Sequence, residues 1–257
     1  MPNLPNAALA FGFVNPPGGT HTSRTMMLSE LRLLLDACPP SAAHAEYRAA
    51  ILQENCLLKH TATTRLRSLR ALRELYGLDR RVLIFRALRD LWDVDENAQS
   101  LLACLCANAR DPLLRSSAGR VLAAVPGESV TAVDLSEAVS AAFRAQYNPS
   151  ILSKIGRNAA SSWTQSGHLT GHGGKVRNLV VPGPVVAAYA LLLGYLCNSR
   201  GENLFGTFWT RLLDASASQL HERAFAASRL GWLEYRRAGD VTDVHFSYLL
   251  REEKAGE

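Results

Sequence analysis

Residues 150–181, SILSKIGRNAASSWTQSGHLTGHGGKVRNLVV, constrain the fold most, because a helical period is followed at once by strand-like sequence. Ile151, Ile155, Ala159 and Trp163 recur every fourth residue and define one apolar helix stripe. Lys154, Asn158, Ser161 and Gln165 define a polar stripe on another face. The helix is expected to follow Pro149, with Ser150 as its N-cap, and to stop at Gly167. His172-Gly173-Gly174 then reads as a turn, and Val176, Leu179, Val180 and Val181 supply strand-forming residues. Helix, tight turn and hairpin in this order form the skeleton of a winged helix. The competing reading is a packed core helix with one solvated face.

Charge separates the two readings. No acidic residue lies between Glu137 and Glu202, whereas Arg144, Lys154, Arg157, Lys175, Arg177 and Arg200 do. A surface of one sign suits a polyanion, because each phosphate contact releases condensed counterions. The whole chain carries only +5, so the inference rests on distribution and not on the total. A second basic stretch spans 59–89, where nine basic residues face only Glu74 and Asp79. It includes TATTRLRSLRALRELY at 61–76, a helix expected to turn Leu66, Leu69, Leu72 and Tyr76 inward and to fan Arg65, Arg67, Arg70 and Arg73 over its outer surface. Asp90, Asp93, Asp95 and Glu96 follow directly. The arginines are therefore either a nucleic-acid contact or partners of that acidic cluster.

The remaining chain reads as helices joined by short connections, as in a compact bundle. Expected helices cover 22–37, 42–58, 61–76, 82–92, 98–109, 112–124 and 134–146, after an extended lead-in over 1–22. Gly18-Gly19-Thr20-His21-Thr22-Ser23-Arg24 lacks the G-x-x-x-x-G-K-[ST] pattern of a phosphate loop and reads as a loop capping the next helix. Val125-Pro126-Gly127-Glu128-Ser129 marks a boundary. The expected organisation is a helical bundle over 1–127 and a winged-helix-like region over 128–257, divided into units at 128–183 and 184–257. In the second unit, helices at 185–197, 203–214 and from Ser216 or Ser218 to Leu230 precede a hairpin that turns at Ala238-Gly239-Asp240. Leu220, Ala224 and Ala227 would face the core, and Gln219, Arg223 and Arg229 would face out. The fold class is thus mostly α with short β-hairpins.

The uncharged run 178–199 is interrupted by Pro182, Gly183 and Pro184. Its uninterrupted part, 185–197, is shorter than the roughly 20 residues of a membrane span and suits a buried core helix. Five cysteines without regular spacing argue against a disulfide framework, and Cys104 and Cys106 read as buried structural thiols. A cytoplasmic protein is expected. The chain has no H-E-x-x-H, paired C-x-x-C, G-x-S-x-G or Rossmann pattern, and His168 and His172 read as turn residues. The expectation is a protein with no catalysis, metal or cofactor.

The chain resembles the BrxA family of BREX phage-resistance systems. The resemblance lies in FGFVNPPGG…SRTMMLSELRLLL, ENCLLKHTATTRLRSLRALRELYGLD, LLACLCANARDPLLRSSAGRVL and the NPSILSKIGRNAASSWTQSGHL helix leading to a hairpin. It implies a small helical DNA-binding protein acting beside a methyltransferase, an ATPase and other system components. It also implies an N-terminal half similar to the helical RNA-binding factor NusB. The expected double-stranded DNA contacts are Lys154, Arg157, Asn158, Ser161 and Gln165 on the helix, Lys175 and Arg177 on the wing, and Arg65, Arg67, Arg70 and Arg73 as a second surface. The alternatives are a protein-binding scaffold and an RNA-binding module.

Overall fold

The computed structural model describes residues 4–15, 17–143, 146–172, 174–239 and 241–252. Arg144, Gly173 and Asp240, which the sequence places in a basic interval and two turns, lie outside the described residues. The chain is mostly helical with two small antiparallel hairpins. No helix among the described residues is long and apolar enough to cross a membrane.

Helices α1 to α6 cover Leu28–Ala37, His44–Leu52, Ala62–Tyr76, Leu83–Trp92, Gln99–Arg110 and Pro112–Ala123. Strong local signals set several of the boundaries. The Thr61 hydroxyl accepts from Thr64 N–H at the start of α3, and Gly77, at φ 95°, closes it. Asp111 accepts from the N–H groups of Leu113 and Leu114 and sets Pro112 at the first position of α6. Two expected helices are shorter than their periodicity suggests. α2 ends at Leu52 because Asn55 and Leu58 adopt left-handed φ values of 56° and 54°. α1 begins at Leu28, after Met27 at φ 54°, and its 20–22 lead-in is a 3-10 turn, Thr20–Thr22. Leu66 on α3 is 40% exposed, whereas Leu69, Leu72 and Tyr76 are buried as expected.

The chain then runs through α7 (Ala132–Ala142), α8 (Pro149–Gln165), β1 (Leu169–Thr170) and β2 (Val176–Arg177). Thr131 and Asp134 form a reciprocal capping box at the start of α7. The N-cap of α8 is Asn148, not Ser150: its Oδ1 accepts from Ile151 N–H at 2.9 Å, and Pro149 occupies the first helical position. Gly167, at φ 86°, ends the helix as expected. Leu169 pairs with Arg177, and Thr170 with Val176. Residues 127–130 add a third short edge. Val130 N–H donates to Lys175 O, Arg177 N–H to Glu128 O, and Gly127 N–H to Arg177 O. Helix α6, this edge, α7, α8, β1 and β2 follow the order of a winged helix, with α6 shared with the bundle.

The second unit has α9 (Pro184–Leu196), a 3-10 turn (Gly201–Gly206), α10 (Phe208–Arg211), α11 (Ala217–Arg229), β3 (Glu234–Ala238) and β4 (Val241–His245). The helix expected over 203–214 is broken because Thr207 recaps the chain, its hydroxyl accepting from Thr210 N–H. Ser216 and Gln219 form the capping box of α11, and Leu220, Ala224 and Ala227 are buried. Helix α9 is buried on nearly every side and packs against α4, α5, α10 and α11. A helix apolar all round belongs in the middle of a core. One continuous apolar core therefore runs from the bundle through α9 to Leu249 and does not divide at Gly127. A smaller cluster, Leu113, Val139, Phe143 and Ile155, joins α6, α7 and α8. Cys104 and Cys106 are buried thiols in the main core, pushed up to about 12 and about 11 by desolvation.

Helices α7 and α8 cross at Gly156, where an added Cβ would lie 2.1 Å from Ala132 O and 3.0 Å from Ser136 Cβ. Helix propensity alone favours Gly156→Ala by roughly 1 kcal/mol. Overpacking at the crossing reverses the sign, and we expect a net destabilisation of about 1–3 kcal/mol in urea unfolding. A stabilised variant would mean that the two helices do not meet there.

Candidate nucleic-acid interface

The polar stripe of α8 is set by what covers it. Residues 20–28 run across this face, with the Thr20–Thr22 turn packed against both α8 and α3. Asn158 Nδ2 donates to His21 O at 2.8 Å, and Gln165 Oε1 accepts from Leu28 N–H at 3.0 Å. Gln165 thus satisfies a free donor at the start of α1 from a distant part of the chain. Ser161, half-buried, accepts from Gln165 Nε2 at 3.3 Å. Asn158, Ser161 and Gln165 hold the lead-in in place and do not form an open base-reading edge.

The lead-in is fixed by a buried relay that the sequence did not disclose. His21 Nδ1 lies 2.7 Å from Asp111 Oδ2, and His21 Nε2 lies 2.8 Å from Ser162 Oγ. Asp111 Oδ2 also accepts from His21 N–H, while Ser162 Oγ accepts from Met26 N–H and has one proton within reach of both His21 Nε2 and Asn158 O. Burial alone would raise the Asp111 carboxyl, but the His21 ring and the N–H donors of His21 and Leu114 outweigh it and hold the group below the usual carboxylate range. An ionised Asp111 places a proton on Nδ1 of His21. Gly19 is required beside it, since a Cβ there would fall 2.3 Å from Asp111 Oδ1. The connectivity is that of a Ser-His-Asp triad, but all three residues are buried, which leaves Ser162 no approach to a substrate carbonyl. The relay acts as a clamp. Its only sequence trace is a histidine after Gly18-Gly19, and its partners lie 90 and 141 residues away.

The wing residues divide. Lys175 is half-buried and donates to Gly171 O at 2.6 Å. Arg177, expected on the outer surface, is buried: it pairs with Asp214 and donates to the carbonyls of His168 and Asn178. Strand β2 thereby turns Val176 outward and Arg177 inward, the reverse of the apolar-in pattern. His168 is likewise no surface turn residue. It is buried against Trp163, with Nδ1 2.8 Å from Ser166 Oγ and Nε2 2.8 Å from Leu212 O. Desolvation and the nearby Arg177 lower its pKa from 6.5 to about 4, against the opposing effects of Leu212 O and Asp214.

Of the expected contacts, those on two surfaces are open. The first turns of α8 expose Ser150, Ser153, Lys154 and Arg157, and Arg157 donates to Ser153 Oγ at 2.6 Å. Helix α3 exposes Arg67, Arg70 and Arg73, with Arg65 half-buried. The acidic cluster after α4 does not neutralise α3. Asp90 pairs with Arg80 and Arg251, Asp93 with Arg89, and Asp95 caps Asn97, while Asp79 pairs with Arg81. Among the described residues, no carboxylate forms an ion pair with Arg65, Arg67, Arg70, Arg73, Lys154 or Arg157. Arg24, missed in the sequence, joins the α3 surface at a cleft of about 390 Å³ that it shares with Arg67 and Arg70. No group of three or more His, Cys, Asp or Glu suited to a metal ion occurs among the described residues. No protein-family model matches the chain, and no curated protein matches it.

Two outcomes follow from the buried histidines. Ser162→Ala leaves Met26 N–H and the Nε2 edge of His21 without a partner, and should cost about 1–3 kcal/mol per orphaned group, read by urea unfolding. A neutral effect would mean that the clamp is not structural. For His168, the unfolded chain binds a proton below pH 6.5 that the folded chain refuses until about 4. Stability is therefore full above pH 6.5 and falls as pH drops through that window, by an amount on the order of a few kcal/mol. His168→Gln should flatten this part of the pH–stability curve, and an unchanged curve would contradict the assignment.

Proposed function

We propose that this protein is a non-catalytic, cytoplasmic, double-stranded DNA-binding component of a BREX-type phage-resistance system, working with other components of that system. The observation that carries the reading is the set of exposed arginines on α3, Arg67, Arg70 and Arg73, which among the described residues form no ion pair, while Asp79, Asp90 and Asp93 pair with other arginines. Unneutralised guanidinium groups on one helix face suit phosphate contacts, which position a duplex without reading its sequence. Lys154 and Arg157 supply a second set from the first turns of α8, the end that a helix in a helix-turn-helix arrangement directs at the groove. Because Asn158 and Gln165 are bonded to the lead-in, few groups remain for bidentate base contacts. The binding is accordingly of low sequence specificity, with Lys175 a peripheral phosphate contact and Arg177 taking no part.

A second reading, a protein-binding scaffold, draws on one observation: Leu179 and Val181 are 50% and 84% exposed beside a cleft lined also by Gln219 and Arg223. An exposed apolar patch is a common mark of a protein contact.

The test is a mobility-shift titration of duplex DNA over a range of salt. Arg67→Ala, Arg70→Ala and Arg73→Ala combined should weaken binding at least about tenfold and reduce the salt slope by about 0.9 for each phosphate that the arginines no longer neutralise. Lys154→Ala with Arg157→Ala should have a similar, smaller effect, and Arg236→Ala with Arg237→Ala on the second hairpin should have little. Retained affinity and slope in both of the first two variants would remove the reading. Stronger retention of structured RNA than of duplex DNA would favour an RNA-binding module instead.

A further inference from the structure

The cleft between residues 18–24 and α3 has a composition unlike the rest of the basic surface. Arg67 and Arg70 stand three residues apart on one face of α3, and Arg24 reaches the same cleft from the pinned lead-in. Among the described residues none of the three pairs with a carboxylate. Like charges at helical spacing repel one another, and an anion seated between them removes that repulsion. The Ser23 side chain, exposed at the rim, adds a hydroxyl donor. The segment that carries Arg24 and Ser23 is held at both ends, by His21 on Asp111 and by Met26 on Ser162, so these donors come from a fixed wall.

Glu74 makes this more than a stretch of basic surface. Its Oε2 accepts from the Thr20 hydroxyl at 2.8 Å, while among the described residues Oε1 accepts no hydrogen bond. Glu74 lines the arginine cleft and also an adjoining cleft of about 530 Å³ on the side of Gly18. A carboxylate at the junction disfavours a second phosphate within the cleft beside one held by the arginines. It accepts a sugar hydroxyl readily, provided that one phosphate ends at the arginines. The two clefts have the scale of small-ligand sites.

We propose that this cleft binds the phosphate monoester of a nucleotide, with Arg24, Arg67 and Arg70 on the phosphate, Ser23 donating to it, and Glu74 accepting from the sugar. The phosphate comes from a free mononucleotide or from the 5′-phosphorylated end of a strand. A dianionic monoester fits three guanidinium groups better than a singly charged diester, and the planar fork of arginine can take two of its oxygens at once. The site does not depend on duplex binding.

The test is calorimetric titration of the full chain with adenosine 5′-monophosphate and with adenosine. One short oligonucleotide is titrated in parallel in its 5′-phosphorylated and 5′-hydroxyl forms. The phosphorylated member of at least one pair should bind about tenfold or more tightly than its unphosphorylated partner. Preference confined to the mononucleotide identifies a free nucleotide, and preference in the oligonucleotide pair identifies a strand end. Arg67→Gln with Arg70→Gln should abolish the preference, as should Arg24→Gln on the other wall, whereas Arg236→Ala on the second hairpin should keep it. No preference in either pair, or a preference retained in either arginine variant, would overturn the proposal. Retention of a 5′-hydroxyl duplex, measured on the same variants, reports on the DNA reading separately.

Discussion

The hydrogen-bonded chain from Asp111 through His21 to Ser162 joins three parts of the molecule that local sequence would leave apart. Asp111 caps α6 in the bundle, Ser162 lies in α8, and His21 belongs to a lead-in that precedes the first α-helix. All three side chains are buried, so each polar atom left without its partner would cost free energy comparable to a lost hydrogen bond. The clamp therefore fixes the path of residues 19–26, and that path determines which polar groups of α8 remain available. Asn158 and Gln165 are engaged by the lead-in, and Gln165 serves as a remote cap for α1.

The electrostatic character of the surface follows from the same economy of partners. Asp79, Asp90 and Asp93 are matched by Arg80, Arg81, Arg89 and Arg251, and Asp214 is matched by Arg177 inside the second unit. Among the described residues, the basic groups of α3, of the first turns of α8 and at Arg24 form no ion pair. Two of these sets flank the clamped segment, with the Thr20–Thr22 turn packed between α3 and α8. A buried polar cluster in the interior and an unneutralised basic surface outside it are thus parts of one arrangement. The first holds the backbone that carries part of the second.

Much of this is legible in the sequence wherever structure is set locally. Thr61, Asp111-Pro112, Ser216, Gly77 and Gly167 act through neighbours a few residues away, and the elements they bound fall close to where periodicity places them. The apolar run of α9 likewise announces a buried helix. Periodicity gives a face but not what lies against it, so the polar stripe of α8 reads as an open surface. The same limit applies to Arg177, whose place in a basic interval gives no sign that Asp214, 37 residues on, draws it inside. The start of α1 is hidden for a related reason: its first donors are satisfied from α8, and nothing between residues 22 and 28 signals that. The Arg-rich helix is legible as a face, while its freedom from the acidic cluster emerges only from the pairing of Asp90 and Asp93 with other arginines.

The proposed function divides the basic and polar residues: it assigns α3 and the start of α8 to nucleic acid, while Asn158, Ser161 and Gln165 of α8 bond within the protein. Photochemical crosslinking of the intact chain to duplex DNA, read by peptide mass spectrometry, tests that division directly. Crosslinks are expected on peptides spanning 62–76 and 149–157, and not on the hairpin at 234–245. Crosslinks concentrated on 158–165 or on the second hairpin, with none on α3, would contradict it.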